Sequence, residues 1–192
     1  MYILGFNGPP NSGKDTCADS IVPFIEQHTN LPIKRESFSL PLRHIAYAMA
    51  GKTYSIDTYE DFKVTNFSQF DRIGRDLMID VSEDFLKPTY GDDIMSRLLI
   101  QRNIGFHGIL IVSDCGFQPE IDYMSNLLGA ERVLLAQVHR PGCTFEGDSR
   151  NWVTHVAGGV DYTDRIDNDG GLDELNVKLQ AYAVDVANAF AI

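Results

Sequence analysis

The sequence contains few cysteines and no long apolar segment. Its three cysteines, Cys17, Cys115 and Cys143, lie far apart, and neither a CxxC pair nor the Cys/His spacing of a zinc site occurs. Cysteines that are few and show no disulfide pattern favour a reducing compartment, so we expect a cytoplasmic protein. No stretch reaches the roughly 20 apolar residues that a transmembrane helix requires, and no membrane partner is expected.

Basic residues are also scarce. The 16 lysines and arginines stand against 27 aspartates and glutamates, which gives a net charge of −11, and the basic residues form no block. Nonspecific binding to DNA needs a basic surface, so the charge argues mildly against a nucleic-acid partner and leaves a local basic groove open. The 192 residues suit a single domain, 1–192, and leave the oligomeric state, a homodimer included, undecided.

Short apolar runs alternate with helical patterns along the chain. The predicted strands cover residues 2–6, 36–38, 108–113, 132–138 and 162–166. The predicted helices begin after Lys14, with a kink at Pro23, and continue at 42–49, 71–86, 92–103, 118–128 and 172–190. Residues 51–70 show no clear periodicity, which predicts a loop or flap. The alternation predicts an α/β fold, in which a parallel sheet is covered by helices on both faces.

The stretch GPPNSGKDT, residues 8–16, follows the first predicted strand. Gly8, Gly13 and Lys14 have the GxxxxGK spacing of the nucleotide-binding P-loop, and a helical pattern follows. In such a loop, small residues let backbone N–H groups surround phosphate oxygens, and the lysine reaches the β- and γ-phosphates. We therefore predict ATP as a ligand. The predicted ATP-binding residues are Gly8, Asn11, Ser12, Gly13, Lys14 and Thr16.

Asp15 stands where the P-loop pattern has serine or threonine. A carboxylate in the first turn of a helix complements the helix dipole and is tolerated if it points away from the triphosphate. Thr16 would then supply the hydroxyl near Mg²⁺ or a phosphate. The same shift of one residue occurs in the GKGT loops of adenylate kinases, which the Gly-Pro-Pro opening also resembles.

Asp114 comes directly after the clearest predicted strand. The carboxyl ends of parallel strands form the ligand-binding edge of an open sheet, and a carboxylate there can hold the hydration shell of Mg²⁺. An aspartate in a strand-ending turn is the alternative interpretation of this position. The P-loop upstream favours the metal role.

Arginines occur at two further places where phosphates can be bound. Arg140 and Arg150 bracket the polar segment HRPGCTFEGDSR, and a lid of about residues 140–157 that carries them would exclude water and stabilise negative charge. An acceptor flap of about residues 40–100 contains Arg43, Arg72, Arg75 and Arg97. For each of these four, a solvated surface position is the alternative interpretation.

Several stretches in order along the chain resemble the deoxynucleoside monophosphate kinases of tailed bacteriophages. They are GPPNSGKDTCAD, FSLPLRHIA, RIGRDL with YGDDIMSRLL, ILIVSDCGFQPEID, HRPGCTFEGDSR and RIDNDGGLDEL. The resemblance implies a three-layer P-loop kinase fold with a central parallel sheet of about five strands, an acceptor flap and a lid. It also implies that the protein is located in the host cytoplasm if a phage encodes the chain.

The resemblance further implies roles for individual residues. It places Asp15 and Arg43 on the acceptor side, identifies Asp114 with the strand-end acid, and matches Arg140 and Arg150 to lid arginines. DCG stands where many relatives have DVR or DVG, so the arginine of DVR is absent at Gly116 and its phosphate or lid contact is not transferred. His155 resembles the histidine of an HxSE-like motif whose acidic ending is replaced here by Ala157-Gly158, so its role is not transferred.

Together these features predict a kinase that transfers the γ-phosphoryl group of ATP to the 5′-phosphate of a deoxynucleoside monophosphate, with Mg²⁺. Lys14, Asp15, Arg140 and Arg150 are the predicted catalytic residues, Arg43, Arg75 and Asp15 bind the acceptor, and Thr16 and Asp114 position the metal. Two alternatives stay open. One is a P-loop kinase that phosphorylates a hydroxymethylated pyrimidine in DNA, and the other is a nucleotide-binding protein without catalysis.

Overall fold

Nine strands occur in the computed structural model, which describes residues 1–190. Five of them form a central sheet: β1 (Tyr2–Asn7), β2 (Ile33–Glu36), β5 (Ile109–Cys115), β6 (Val133–His139) and β9 (Thr163–Asp167). Two short antiparallel hairpins lie outside it: β3 (Asn66–Phe67) with β4 (Arg72–Ile73), and β7 (Val156–Ala157) with β8 (Val160–Asp161).

The helices connect these strands. They are α1 (Lys14–Ser20), α2 (Val22–Ile25), α3 (Leu40–Met49), α4 (Tyr59–Val64), α5 (Gly74–Ile79), α6 (Lys87–Tyr90), α7 (Ile94–Arg102), α8 (Gln118–Leu128) and α9 (Leu172–Ala189). A π-helical segment, Asp80–Leu86, joins α5 to α6, and single 3₁₀ turns occur at Ile56–Thr58 and Ala130–Arg132. No helix among residues 1–190 is long and apolar enough to cross a membrane.

The central sheet is entirely parallel, in the order β2–β5–β1–β6–β9. Alternate residues of β1 enter two separate cores: Ile3 packs with side chains of α3, α5, α7 and α8, whereas Leu4 and Phe6 pack with α1, α2 and α9. Both faces of the sheet are therefore covered, which explains why β1 and β5 are apolar without alternation. The predicted α/β fold with a five-stranded parallel sheet and helices on both faces is confirmed.

The second strand lies earlier than the sequence predicts. It covers Ile33–Glu36 rather than residues 36–38, and pairs with β5 along its whole length. Beyond Glu36, the backbone N–H groups of Phe38 and Ser39 donate to the carboxylate of Asp114, at 2.9 and 3.0 Å. The strand ends there because a side chain replaces the neighbouring strand as acceptor.

The region of the predicted 71–86 helix also differs. The first residues of the predicted helix belong to the β3–β4 hairpin instead, and α5 begins at Gly74. The helical region then continues through the π-helical segment and α6 to Tyr90. Pro88 would break a regular α-helix, but it follows directly on π-helical turns, whose hydrogen bonds span one residue more. The break falls at Gly91, whose φ of 101° is left-handed.

The predicted 51–70 loop contains a helix, α4. Its Phe62 is buried, with its ring centroid 3.8 Å from that of Tyr47 and 5.1 Å from that of Phe67. The sequence spacing did not reveal this helix because it is only six residues long and packs through Tyr59 and Phe62, which are too few to give a periodicity.

Candidate functional site

The P-loop connects β1 to α1 and has the backbone conformation that its glycines allow. Gly13 has a φ of 95° and Asn11 a φ of 62°, both left-handed. A Cβ atom at Gly8 would lie 2.7 Å from both Ser12 Oγ and the Val138 carbonyl oxygen, so no larger residue fits. Asn168, which follows β9, holds the loop by donating from Nδ2 to the Ser12 carbonyl at 2.8 Å.

The same loop presents hydrogen-bond donors that the protein leaves unused. Among residues 1–190, no hydrogen bond uses the N–H groups of Gly13, Lys14, Asp15 or Thr16, as expected where a helix begins. The hydroxyl of Ser12 is buried and has no hydrogen-bond partner within the described part of the chain. Lys14 is 7% exposed and donates from Nζ to the Pro9 carbonyl at 2.8 Å. Burial, and then the charge of Arg150, lower the pKa of Lys14, so an anion beside it would be favourable. These groups fit the phosphates of ATP.

A cavity of about 360 Å³, the main cavity, opens beside this loop at the carboxyl end of the sheet. It lies between the P-loop, the end of β5, helices α3 to α5 and the segment after β6. Five of the chain's 16 lysines and arginines line it, although the whole chain is acidic. They are Lys14, Arg43, Lys63, Arg75 and Arg150. Six acidic residues line the main cavity as well, namely Asp15, Glu60, Glu83, Asp114, Glu120 and Asp148, so an anionic ligand would be favoured beside the basic groups and not throughout the cavity.

Asp114 lies on the wall of the main cavity, and its carboxylate is already engaged. Oδ2 accepts from Ser37 Oγ at 2.7 Å and from the Ser39 N–H, and Oδ1 accepts from the Phe38 N–H. A carboxylate with both oxygens occupied fits Mg²⁺ through a water molecule better than by direct coordination. Thr16 is exposed on the first turn of α1 and does not line the main cavity. The metal role of both residues stays a prediction.

Asp15 projects toward the β2–β5 side of the P-loop. Its Oδ1 accepts from Ser113 Oγ at 2.5 Å and lies 4.0 Å from Arg35 Nη2, and its side chain is 84% exposed. It also lines the main cavity. The sequence places Asp15 on the acceptor side, and this role stays a prediction.

Two arginines predicted from distant segments meet at one carboxylate, that of Asp148. Arg150 forms a two-pronged contact, with Nε 2.8 Å from Oδ1 and Nη2 2.7 Å from Oδ2, and Arg75 Nη2 lies 3.3 Å from Oδ2. The Asp148 side chain is 3% exposed. The hydrogen bonds from Arg150 are the main reason why its pKa falls to about 2. Asp148 therefore holds the flap arginine and the lid arginine beside the main cavity.

Gly116 is explained by the same arginine. A Cβ atom at this position would lie 2.5 to 2.8 Å from Cβ, Cγ and Cδ of Arg150. The stem of Arg150 thus fills the space where a side chain at residue 116 would begin. The glycine of DCG, where some relatives have the arginine of DVR, leaves room for an arginine that comes from the lid.

Arg43 lines the main cavity with most of its N–H groups in use. They donate to Ser37 Oγ, Ser39 Oγ and Tyr54 Oη at 3.0 to 3.3 Å, and the guanidinium lies 4.1 Å from the ring centroid of Tyr59. Because few of its N–H groups are free, Arg43 would act on a bound phosphate through its positive charge and not through a pair of hydrogen bonds.

Three other residues considered in the sequence lie elsewhere. Arg72 pairs with Asp80 at 3.3 Å, and Arg97 pairs with Asp93 at 3.1 Å; neither arginine lines the main cavity. His155 is buried, bonds through Nε2 to the Ala130 carbonyl at 3.0 Å, and stacks on Tyr162. These contacts are structural.

Arg140 is separated from Arg150. It lines a second cavity of about 410 Å³, where the rings of His139 and Trp152 stack with centroids 4.1 Å apart. Its Nη1 lies 3.5 Å from the Asn11 carbonyl of the P-loop. The two lid arginines therefore face different cavities on either side of the loop.

Sequence reasoning missed Asp148, Glu120, and the stacked pair of His139 and Trp152. One sequence feature could have indicated the role of Asp148: it lies two residues before Arg150 in DSR, close enough to pair with it. Glu120 follows the β5–α8 turn, where a glutamate is a common capping residue and does not stand out. The aromatic pair joins residues on β6 and in the lid, and no local pattern connects them.

Comparisons with known proteins show weak structural likeness only. No protein-family model matches the chain, and no curated protein is similar to it in sequence. A gluconokinase from Sinorhizobium meliloti 1021 matches with a TM-score of 0.49 and 10% identity, over 97% of this chain and 94% of that one. A sugar kinase from Janibacter sp. HTCC2649 matches with a TM-score of 0.43 and 10% identity, over 99% and 98%.

The fold is defined by the sheet itself, independently of these two structures. A five-stranded parallel sheet with helices on both faces, and a phosphate loop between the first strand and helix, make this an α/β protein of the P-loop type. Membership of the bacteriophage deoxynucleoside monophosphate kinase family, which the sequence resemblance implies, stays a prediction.

Proposed function

We propose that the protein transfers the γ-phosphoryl group of ATP to the 5′-phosphate of a deoxynucleoside monophosphate. The observation that carries this proposal is the group of Lys14, Arg75 and Arg150 around one cavity next to the unused N–H groups of the P-loop. Two phosphate-bearing substrates need cations on both sides of the reacting centre, and this arrangement provides them.

The donor would bind along the P-loop. The N–H groups of Gly13 and the first turn of α1 would hold its phosphates, and Lys14 would offset the charge that develops on the transferring group. The base of ATP would lie in the second cavity, against the stacked rings of His139 and Trp152, with Arg140 between base and loop.

The acceptor would enter the main cavity from the flap. Arg75 would bind its phosphate with the N–H groups that Asp148 leaves free, and Arg43 would add positive charge. Arg150 would stabilise the group in transfer. Mg²⁺, when bound, would neutralise phosphate charge and would be held by Asp114 through water. The acceptor phosphate is ionised at neutral pH, so alignment and electrostatics suffice without a general base.

The direct test is a panel of acceptors. ATP and Mg²⁺ are incubated with each common deoxynucleoside monophosphate and ribonucleoside monophosphate, and ADP formation is followed in a coupled assay. We expect at least one deoxynucleotide to be phosphorylated well above the rate of ATP hydrolysis in its absence. Binding of ATP without acceleration by any acceptor would contradict the proposal and leave a nucleotide-binding protein without catalysis.

The exposed carboxylate of Asp15 on the acceptor side supports a second candidate, transfer to a hydroxymethylated pyrimidine in DNA. An alcohol acceptor gains from a general base, and Asp15 is the carboxylate that the P-loop itself supplies. Labelled ATP with hydroxymethyluracil-containing DNA, compared with free nucleotides, separates the two acceptors.

Asp15→Asn distinguishes them further. With a phosphate acceptor we expect kcat to fall by less than about tenfold, because only orientation is lost. With an alcohol acceptor the loss of a base would lower kcat by about 10² to 10⁴. Steady-state kinetics on the best acceptor give the answer, and an unchanged rate would make Asp15 only a helix-start carboxylate.

A further inference from the structure

Glu120 is a buried acid that the proposed reaction does not use. It lies in the first turn of α8, is 1% exposed, and lines the main cavity. Its Oε2 atom is buried and has no hydrogen-bond partner among residues 1–190. A buried polar atom without a partner is rare in native proteins and needs an explanation.

Capping of α8 explains only part of this arrangement. Phe117 is the N-cap of the helix, so Glu120 occupies the position from which a glutamate reaches back to the N-cap N–H. The N–H groups of Gly116 and Phe117 lower the pKa of this carboxyl, but their effect is smaller than that of burial. Oε2 is still left without a hydrogen-bond partner among residues 1–190.

The surroundings of Glu120 favour the protonated form of its carboxyl. Burial is the main reason why the pKa of Glu120 rises to about 8, the charge of Asp114 raises it further, and Lys87 opposes both. Lys87 is itself engaged, with Nζ 2.7 Å from Glu83 Oε1 and 3.2 Å from the ring centroid of Phe117. A neutral carboxyl donates one hydrogen bond, and Oε2 is the oxygen that has no partner among residues 1–190.

The surroundings indicate what could accept that hydrogen bond. Asp114 and Glu83 line the same cavity and would repel a phosphate placed against Glu120. The cavity also has apolar walls that suit a flat ring, with aromatic and thioether side chains among them. These walls include Phe38, Leu42, Met78, Met95 and Phe117. The apolar walls and the two carboxylates of this cavity favour an uncharged polar atom on a flat ligand as the partner of Glu120.

We propose that Glu120 determines the base preference of the acceptor, by donating a hydrogen bond from Oε2 to a carbonyl oxygen or ring nitrogen on the edge of the base. This inference rests on the proposed function, because the base reaches Glu120 only if a nucleotide binds in the main cavity. It adds the group that discriminates between acceptors, which the phosphate-binding arginines cannot do.

The test compares Glu120→Gln with Glu120→Leu on the best acceptor and on a second acceptor with a different base. Glutamine keeps a donor of the same length, whereas leucine removes it with little change in volume. We expect Glu120→Gln to stay within about threefold of the wild type, and Glu120→Leu to raise the acceptor KM by about 10- to 100-fold. The KM for ATP should not change. The preference for the best acceptor over the second should shrink by a similar factor in Glu120→Leu.

The matched control is Asp122→Asn. This residue is on the same helix, exposed, and outside the main cavity, so its loss of charge should leave both KM values unchanged. Thermal denaturation of each variant shows whether it is folded. A purely structural role would lower the melting temperature of both Glu120 variants and leave the base preference intact.

The outcomes separate the two proposals. If the wild type phosphorylates no monophosphate, the proposed function fails. If it does so with a clear base preference, and folded Glu120→Leu keeps that preference and the same acceptor KM, only the role of Glu120 is overturned. Rescue by Glu120→Gln together with loss in Glu120→Leu supports it.

Discussion

Lys14→Met is expected to lower kcat by about 10² to 10³, because it removes the cation that offsets charge on the transferring phosphoryl group. Methionine fills the space of the lysine stem, and the buried ammonium donates one hydrogen bond within residues 1–190, to the Pro9 carbonyl. The fold should therefore survive, with an unchanged or higher melting temperature. The rate is measured at saturating ATP with the best acceptor, and the melting temperature by circular dichroism.

Lys52→Met is a suitable control for this variant. Lys52 is exposed and lines neither the main nor the second cavity, so the same substitution there should leave kcat unchanged. Full activity in a folded Lys14→Met protein would show that the P-loop does not carry the transfer. Loss of activity in both variants would point to a general effect of removing positive charge.

Arg150→Lys is expected to lower kcat by about 10² to 10³ with little change in the KM for ATP. Lysine keeps the charge but cannot form the two-pronged contact that holds Arg150 on Asp148, so its ammonium would not be fixed beside the main cavity. Steady-state kinetics with both substrates varied separates an effect on kcat from an effect on binding.

Gly116→Ala tests the position of Arg150 without changing the arginine. The added Cβ would collide with the stem of Arg150, so we expect a decrease in kcat in the same direction. Arg140→Ala is the contrasting variant, because Arg140 lies in the second cavity and should affect the KM for ATP more than kcat. Equal effects of Arg140 and Arg150 on kcat would contradict the separation of the two lid arginines.

The P-loop shows how much a local pattern can determine. Its function depends on neighbours in the chain: the spacing of Gly8 and Gly13, the lysine that follows, and a strand and helix on either side. These residues lie close together in the chain, so the sequence predicts the loop, and the left-handed φ of Gly13 agrees. The α/β alternation was predictable for the same reason, because the apolar pattern of each short segment indicates whether it is a buried strand or a half-buried helix. The contact of Asn168 with the Ser12 carbonyl, 156 residues apart, was not predictable in this way.

Strand and helix limits were less predictable where a distant residue sets them. The end of β2 depends on Asp114, 75 to 77 residues away, which accepts hydrogen bonds from Ser37, Phe38 and Ser39. The helix after β4 continues past the expected break because π-helical turns precede Pro88. Neither cause is visible in a local window of sequence.

The sequence by itself determined that this chain is an α/β protein with a phosphate-binding loop, because those features depend on residues close together in the chain. Only the tertiary structure decided how the charged groups divide between two cavities. It pairs Arg75 with Asp148, 73 residues away, sets Arg150 over Gly116, and buries Glu120 on the wall of the main cavity. The physical reason is that the sheet order and the helices packed on it set distances between segments, and charge and hydrogen bonding act over those distances rather than along the chain.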